Sequence, residues 1–198
     1  MKKMYVIFCA LCTIVSSLYC AETSCVWLEN YIDTVPDFPK PGIQFKCYPR
    51  LLKDPEAFHR VTQILKKRYQ NYHLDAIVGL DARGFIFGTA LAYEMNLPFV
   101  MVRKAGKLPR KVEKIDYNLE YGKTSFEIEV DTIAQGDRVL IVDDLLATGG
   151  TATAAATLVE RLGGTVVEVA CLIELVGLHG RENLKYPFYS LLSIEVEE

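Results

Sequence analysis

The chain has 198 residues, 51% of them apolar, which is enough for one sizeable core and too many for intrinsic disorder. A net charge of −3 excludes an overall basic footprint for nucleic acid. Six cysteines do not read as a disulfide framework, because Cys9, Cys12 and Cys20 fall in an apolar N-terminal stretch and the others are scattered; three distant histidines offer no metal cluster.

Lys2 and Lys3 precede an apolar run from Met4 to Val15, followed by Ser16 and Ser17. This has the charged and apolar regions of a secretory signal and is too short for a transmembrane span. Residues 1–21 are therefore set apart as a signal-like leader or N-terminal extension, and residues 22–198 as one domain. Trp27, Leu28, Tyr31 and Ile32 have helical spacing. Pro36 to Pro41 predicts a loop, since proline opposes both helix and ladder. Asp54-Pro55-Glu56 opens a helix with an N-cap and a first-turn proline, and Phe58, Val61, Leu65, Tyr69 and Tyr72 recur on one face.

Ala76 to Leu80 reads as a buried strand, Asp81-Ala82-Arg83-Gly84 as a turn into a helix ending near Met95, and Phe99 to Arg103 as another strand. Arg103 to Lys114 carries six cations against one acid, Glu113, and its glycine and proline predict a mobile loop. Phe126, Ile128 and Val130 alternate with acids as on a half-exposed antiparallel strand. Arg138 to Val142 is a strand, Thr151 to Leu162 a helix stopped by Gly163 and Gly164, and Val166 to Leu175 and Phe188 to Glu195 are strands. Alternating strands and helices give an α/β fold with a mostly parallel central sheet flanked by helices.

Ligands of such sheets bind beyond the carboxyl ends of strands. Asp143-Asp144-Leu145-Leu146-Ala147-Thr148-Gly149-Gly150-Thr151 lies at such an end. A small, glycine-bearing turn before a helix presents amides and hydroxyls to a phosphate. The adjacent carboxylates suit ribose hydroxyls, or a Mg²⁺ carrying a pyrophosphate. The turn is neither a Walker loop nor a dinucleotide fingerprint. Leu80-Asp81-Ala82-Arg83-Gly84 forms a second strand–turn–helix, with Arg83 able to fork onto phosphate.

The acid-pair segment closely resembles the diphosphoribosyl-binding signature of type I phosphoribosyltransferases, and its Asp-Asp-Leu-Leu-Ala-Thr-Gly-Gly-Thr form resembles their adenine branch. The likeness runs from about Val35 to Glu195. It implies that Asp143 and Asp144 hold the ribose, that Ala147, Thr148, Gly149, Gly150 and Thr151 cradle the 5′-phosphate, and that Asp81, Ala82, Arg83 and Gly84 form a pyrophosphate loop in which the peptide before the Arg is often cis. Arg103-Lys104-Ala105-Gly106-Lys107-Leu108-Pro109 resembles the family's flexible loop. There Arg103, Lys107 and Tyr121 belong with the donor and Glu120 with proton transfer at the purine. Phe38 to Lys46 resembles the N-terminal base-binding segment, with Phe45 stacking adenine and backbone groups of Gln44 and Lys46 reading its edge. Lys46-Cys47 stands where the family usually has Arg-Asp. Glu174 and Leu175 correspond to the far wall of the base pocket.

The resemblance implies transfer of a phosphoribosyl group from phosphoribosyl pyrophosphate to adenine, giving AMP and pyrophosphate in purine salvage. Mg²⁺ is expected through the donor's pyrophosphate, with no assigned protein ligand, along with a homodimer, no nucleic acid and no stable membrane association. Because the donor is made and used inside cells, the expected location is cytoplasmic; the leader's alternative is export or membrane association. Two other functions share the signature: transfer to another purine base, and a non-catalytic regulator that senses phosphoribosyl pyrophosphate. An exported binding module rests on the leader alone.

Overall fold

The computed structural model describes residues 25–119 and 122–196. A 3-10 turn, Cys25–Tyr31, leads into a two-stranded hairpin, β1 (Asp33–Pro36) and β2 (Gln44–Cys47). Helices α1 (Pro49–Lys53) and α2 (Pro55–Tyr69) follow. The rest is β3 (Ala76–Leu80), α3 (Gly84–Met95), β4 (Phe99–Lys104), β5 (Val112–Leu119), β6 (Gly122–Glu129), β7 (Arg138–Leu146), α4 (Gly150–Arg161), β8 (Thr165–Leu175) and β9 (Phe188–Ile194).

These strands make a seven-stranded sheet in the order β5-β6-β4-β3-β7-β8-β9. β4, β3, β7, β8 and β9 are parallel, while β6 and β5 add an antiparallel flank. All five residues of β3 are buried, the continuous apolar pattern of a strand covered on both faces. Successive side chains alternate between two cores. Ile77, Leu140, Val142 and Ala170 face α2 and α3 through Leu65, Phe87 and Leu91. Val78, Leu80, Ile141 and Val169 face α4 through Ala155, Leu158 and Val159. Burying each such Leu, Ile or Phe contributes about 1.5–3 kcal/mol.

Helix α2 starts where the capping pattern places it: the Asp54 carboxylate accepts from the amides of Glu56 (3.0 Å) and Ala57 (3.1 Å). Val61, Leu65 and Tyr69 form its buried stripe, with Phe58 and Tyr72 partly buried beside it.

Two expectations are corrected. The proline-rich stretch is part of a hairpin, not only a loop, because Pro36 ends β1 opposite Gln44 and the turn lies between the strands. The basic island is loop only in its middle: β4 runs through Lys104 and β5 begins at Val112, so residues 105–111 form the connection and the island's two ends are strand. Pairing of β5 with β6 supplies the backbone partners that let this charged segment extend.

The chain leaves β3 outward through α3 to β4, and leaves β7 in the other direction through α4 to β8. The strand order therefore reverses between β3 and β7, so a crevice opens at their carboxyl ends. No helix among the described residues is long and apolar enough to cross a membrane.

Candidate active site

β7 carries Asp143 and Asp144 within its last residues, and a turn then leads to α4 at Gly150. Gly149 holds φ +86°, the left-handed region, and a β-carbon there would lie 2.7 Å from the Gly180 carbonyl oxygen. Asn183 Nδ2 donates to the Thr148 carbonyl at 3.1 Å, fixing the back of the turn. The first amides of α4 lack intrahelical acceptors, as at any helix start, and so are open to an anion.

Asp144 is buried (4% exposed) and forms an ion pair with Arg83, Nε to Oδ2 2.9 Å. The Tyr48 hydroxyl donates to the same oxygen at 3.0 Å. The Asp144 amide donates to Asp143 Oδ1 at 2.9 Å. Burial, and then the charge of Asp144, hold the Asp143 carboxyl well above the usual carboxylate range. Beside the pair, burial and both carboxylates push the Cys171 thiol up, leaving it protonated and unreactive.

The β3–α3 turn brings Arg83 to the acid pair. The cis peptide lies at Asp81–Ala82, one bond earlier than the peptide immediately before Arg83. Gly84 is buried against β7: a β-carbon would lie 2.6 Å from the Val142 carbonyl oxygen and 2.9 Å from Asp143 Oδ1. Asp81 Oδ2 accepts from Arg103 Nε (3.3 Å) and from the Lys104 amide (3.4 Å).

These groups surround one cavity of about 540 Å³. Of the residues expected at the donor, Asp81, Ala82, Arg83, Asp143, Asp144 and Ala147 through Thr151 line it. Lys104, Tyr117, Phe126 and Cys171 line it as well, unanticipated from the sequence except that Lys104 stands in the basic island. Arg103 reaches the rim through Asp81. Lys107 is exposed outside the lining, its carbonyl accepting from Arg103 Nη1 at 3.4 Å. Glu120 and Tyr121 lie outside the described residues.

Phe45 meets this cavity through Arg83, whose guanidinium carbon lies 5.0 Å from the ring centroid. Phe38 packs edge-on against Phe45 at 5.0 Å. Gln44 and Lys46 flank Phe45 on β2, and Lys46 Nζ donates to Thr34 Oγ1 at 2.8 Å. None of these three lines the cavity. Glu174 and Leu175 end β8 but are also outside the lining. Glu174 takes Arg181 in a fork (2.8 and 2.6 Å) and hydroxyls of Ser190 and Ser193 (3.1 and 3.2 Å). The Arg181 bonds in particular hold its carboxyl below the usual range. Among the described residues there is no group of three or more Asp, Glu, His or Cys suited to a metal.

The family model for the phosphoribosyl transferase domain matches residues 48–198. A relative from Solibacter usitatus, an adenine phosphoribosyltransferase, is 51% identical over 169 residues, covering 85% of this chain and 98% of its own. The chain belongs to the adenine phosphoribosyltransferase family. Solved members of that family share the fold. The enzyme from Rhodothermus marinus superposes with a TM-score of 0.82 at 46% identity, covering 87% of this chain and 99% of that one. The Saccharomyces cerevisiae enzyme, complexed with adenine and an iminoaltritol bisphosphate, gives 0.81 at 39% identity, covering 86% and 99%. None of these relatives is named for another base or for a regulatory role. Family membership makes the cavity of this chain the candidate phosphoribosyl site.

Proposed function

We propose that this protein transfers the 5-phosphoribosyl group of phosphoribosyl pyrophosphate to adenine, forming AMP and pyrophosphate as a step of purine salvage. One observation carries the reading: the turn at residues 147–151, the acid pair and Arg83 share a single cavity, and Arg83 also lies over Phe45. A phosphate cradle, a sugar site, a pyrophosphate ligand and an aromatic platform are thus contiguous. The yeast relative's complex with adenine supports the base assignment.

In this reading the amides of Ala147 through Thr151 take the 5′-phosphate. Asp143 and Asp144 hold the ribose hydroxyls, and the Asp144 charge opposes the positive charge that develops at the sugar carbon as the bond to pyrophosphate breaks. Arg83 and Lys107, with Arg103 and Lys104 behind them, receive the leaving group. Phe45 stacks the adenine while backbone groups of Gln44 and Lys46 read its edge, so the change to Lys46-Cys47 leaves that recognition in place. Glu120 exchanges the purine proton, and Glu120→Gln slows a single turnover by about 10²–10⁴-fold with donor affinity retained. Mg²⁺ would enter with the donor's pyrophosphate, since it keeps several waters and binds phosphates without needing a protein cage, and when bound it would neutralise leaving-group charge.

The proposal includes a homodimer. The outer face of α3 supports it: Phe85, Ile86, Ala90 and Tyr93 line an apolar groove, and Tyr93 is 85% exposed. Sedimentation of a fully active monomer refutes that part. A cytoplasmic location follows from where the donor is made, and mass spectrometry of the native N-terminus tests it. For the reaction, labelled adenine with phosphoribosyl pyrophosphate and Mg²⁺ yields AMP and an equal amount of pyrophosphate. Failure of the wild-type protein to make AMP removes the proposal.

A further inference from the structure

Tyr48 stands between the base hairpin and the acid pair. It follows β2 directly and opens α1, and its side chain is buried, 4% exposed. The ring packs against Phe87, centroids 5.5 Å apart. Its hydroxyl donates to Asp144 Oδ2 across 96 positions of sequence. Arg83 Nε holds the same oxygen, but the Arg83 side chain is 40% exposed and also spans toward Phe45.

These two partners of Asp144 differ in freedom. Tyr48 is fixed by its packed ring and has only a hydroxyl torsion to adjust. Arg83 is half-exposed, and its planar fork suits a pyrophosphate better than a single carboxylate oxygen. A buried carboxylate that loses one of its donors becomes costly unless another remains. The groups facing Asp144 are Asp143 on its own strand, Cys171 on β8, Arg83 from the β3–α3 turn, and Tyr48. Of these, Tyr48 donates a hydrogen bond to Asp144 Oδ2, and Arg83 meets the same oxygen as an ion pair.

We infer that Tyr48 is a positioning residue for the transfer: it keeps the Asp144 carboxylate aimed at the ribose when Arg83 turns to the pyrophosphate. This rests on the assignment of Asp144 to the ribose hydroxyls. Burial and the nearby Asp144 charge push the Tyr48 phenol well above its usual value, so it remains a neutral donor at working pH. A neutral donor fixes the orientation of the carboxylate and leaves its charge available to the reacting sugar. The same bond latches the base hairpin to β7.

The test is Tyr48→Phe, which keeps the ring and deletes only the hydroxyl. Calorimetry compares two ligands on wild type and variant: Mg²⁺-phosphoribosyl pyrophosphate, which draws Arg83 away, and ribose 5-phosphate, which does not. A hydrogen bond to a charged group contributes about 1.5–3 kcal/mol, so affinity for the pyrophosphate ligand falls about ten- to hundredfold. Affinity for ribose 5-phosphate falls threefold or less. In an Asp144→Asn background the Tyr48→Phe change adds nothing. Equal losses for both ligands, no loss for either, or a full loss in the Asp144→Asn background overturns the inference. Because the readout is binding without a base, it separates from the adenine assignment: a wild type that binds the donor but makes no AMP refutes the reaction, and the calorimetric comparison still decides Tyr48. A wild type that binds neither ligand removes both.

Discussion

Arg83 and Asp144 join the ends of two adjacent parallel strands: Nε of one lies 2.9 Å from Oδ2 of the other, across the crevice where the strand order reverses. The pair holds two charges in place that the proposed reaction uses separately, the cation on pyrophosphate and the anion on ribose. Replacing Asp143 and Asp144 together by Asn should therefore remove turnover while circular dichroism remains native. A double variant with near-normal kcat/KM reduces the acid pair to a structural role.

Asp143 carries a stability penalty with a definite pH dependence. Its carboxyl is held above the usual range of about 4 in the folded protein. Between that range and the raised value, the folded state binds a proton that the unfolded chain does not. Stability therefore falls as pH rises through this window, and above it the full penalty of the buried charge remains. Asp143→Asn should melt higher than wild type at neutral pH, by about 2–4 °C for each kcal/mol relieved, with the two curves converging below about pH 4. A variant that melts at or below wild type at neutral pH contradicts the assignment.

Gly84→Ala tests the close approach of α3 to β7. The added methyl meets the Val142 carbonyl oxygen at 2.6 Å, a backbone atom of a central strand that cannot swing aside, and Asp143 Oδ1 at 2.9 Å. Overpacking of this kind costs about 1–3 kcal/mol. The shift moves Arg83 relative to the acid pair, so donor KM should rise as well. Unchanged melting and unchanged donor KM would show that the helix end adapts freely.

Asn183 supports the turn at residues 147–151, the proposed phosphate cradle, from outside, through its bond to the Thr148 carbonyl. Because the residue is exposed, the bond is worth the low end of the usual range, about 0.5–1 kcal/mol. Asn183→Ala should weaken ligands bearing a 5′-phosphate by about two- to fivefold, with adenine and free pyrophosphate unaffected. Titration of AMP and pyrophosphate separates these outcomes, and equal weakening of both would place the effect elsewhere.

What the sequence made legible follows from range. β3 and the Val139–Val142 stretch of β7 are continuous apolar runs, buried on both faces, and the carboxylates that follow within β7 and the glycines beyond it mark the crevice without reference to distant residues. The α2 cap is equally local, since Asp54 and its two amide partners lie within three positions. The hairpin of β1 and β2 was hidden because its turn is crowded with prolines. β5 was hidden because its Val112, Ile115 and Tyr117 are interspersed with charges, and only pairing with β6 makes it a strand. Tyr48 at Asp144, Arg181 at Glu174 and Asn183 at Thr148 depend on tertiary contacts that periodicity does not encode. Glu174 illustrates the limit of a motif: its place at the end of β8 is local information, whereas its saturation by Arg181, Ser190 and Ser193 is not.

The central claim is that this cavity transfers a phosphoribosyl group to adenine in particular. The most direct measurement offers the purified protein adenine, hypoxanthine and guanine together at equal concentration, with phosphoribosyl pyrophosphate and Mg²⁺, and resolves the nucleotide products by chromatography. AMP should form and dominate, and it should disappear in the variant with both Asp143 and Asp144 replaced by Asn. Predominant IMP or GMP, or AMP formation that survives loss of the acid pair, would contradict it.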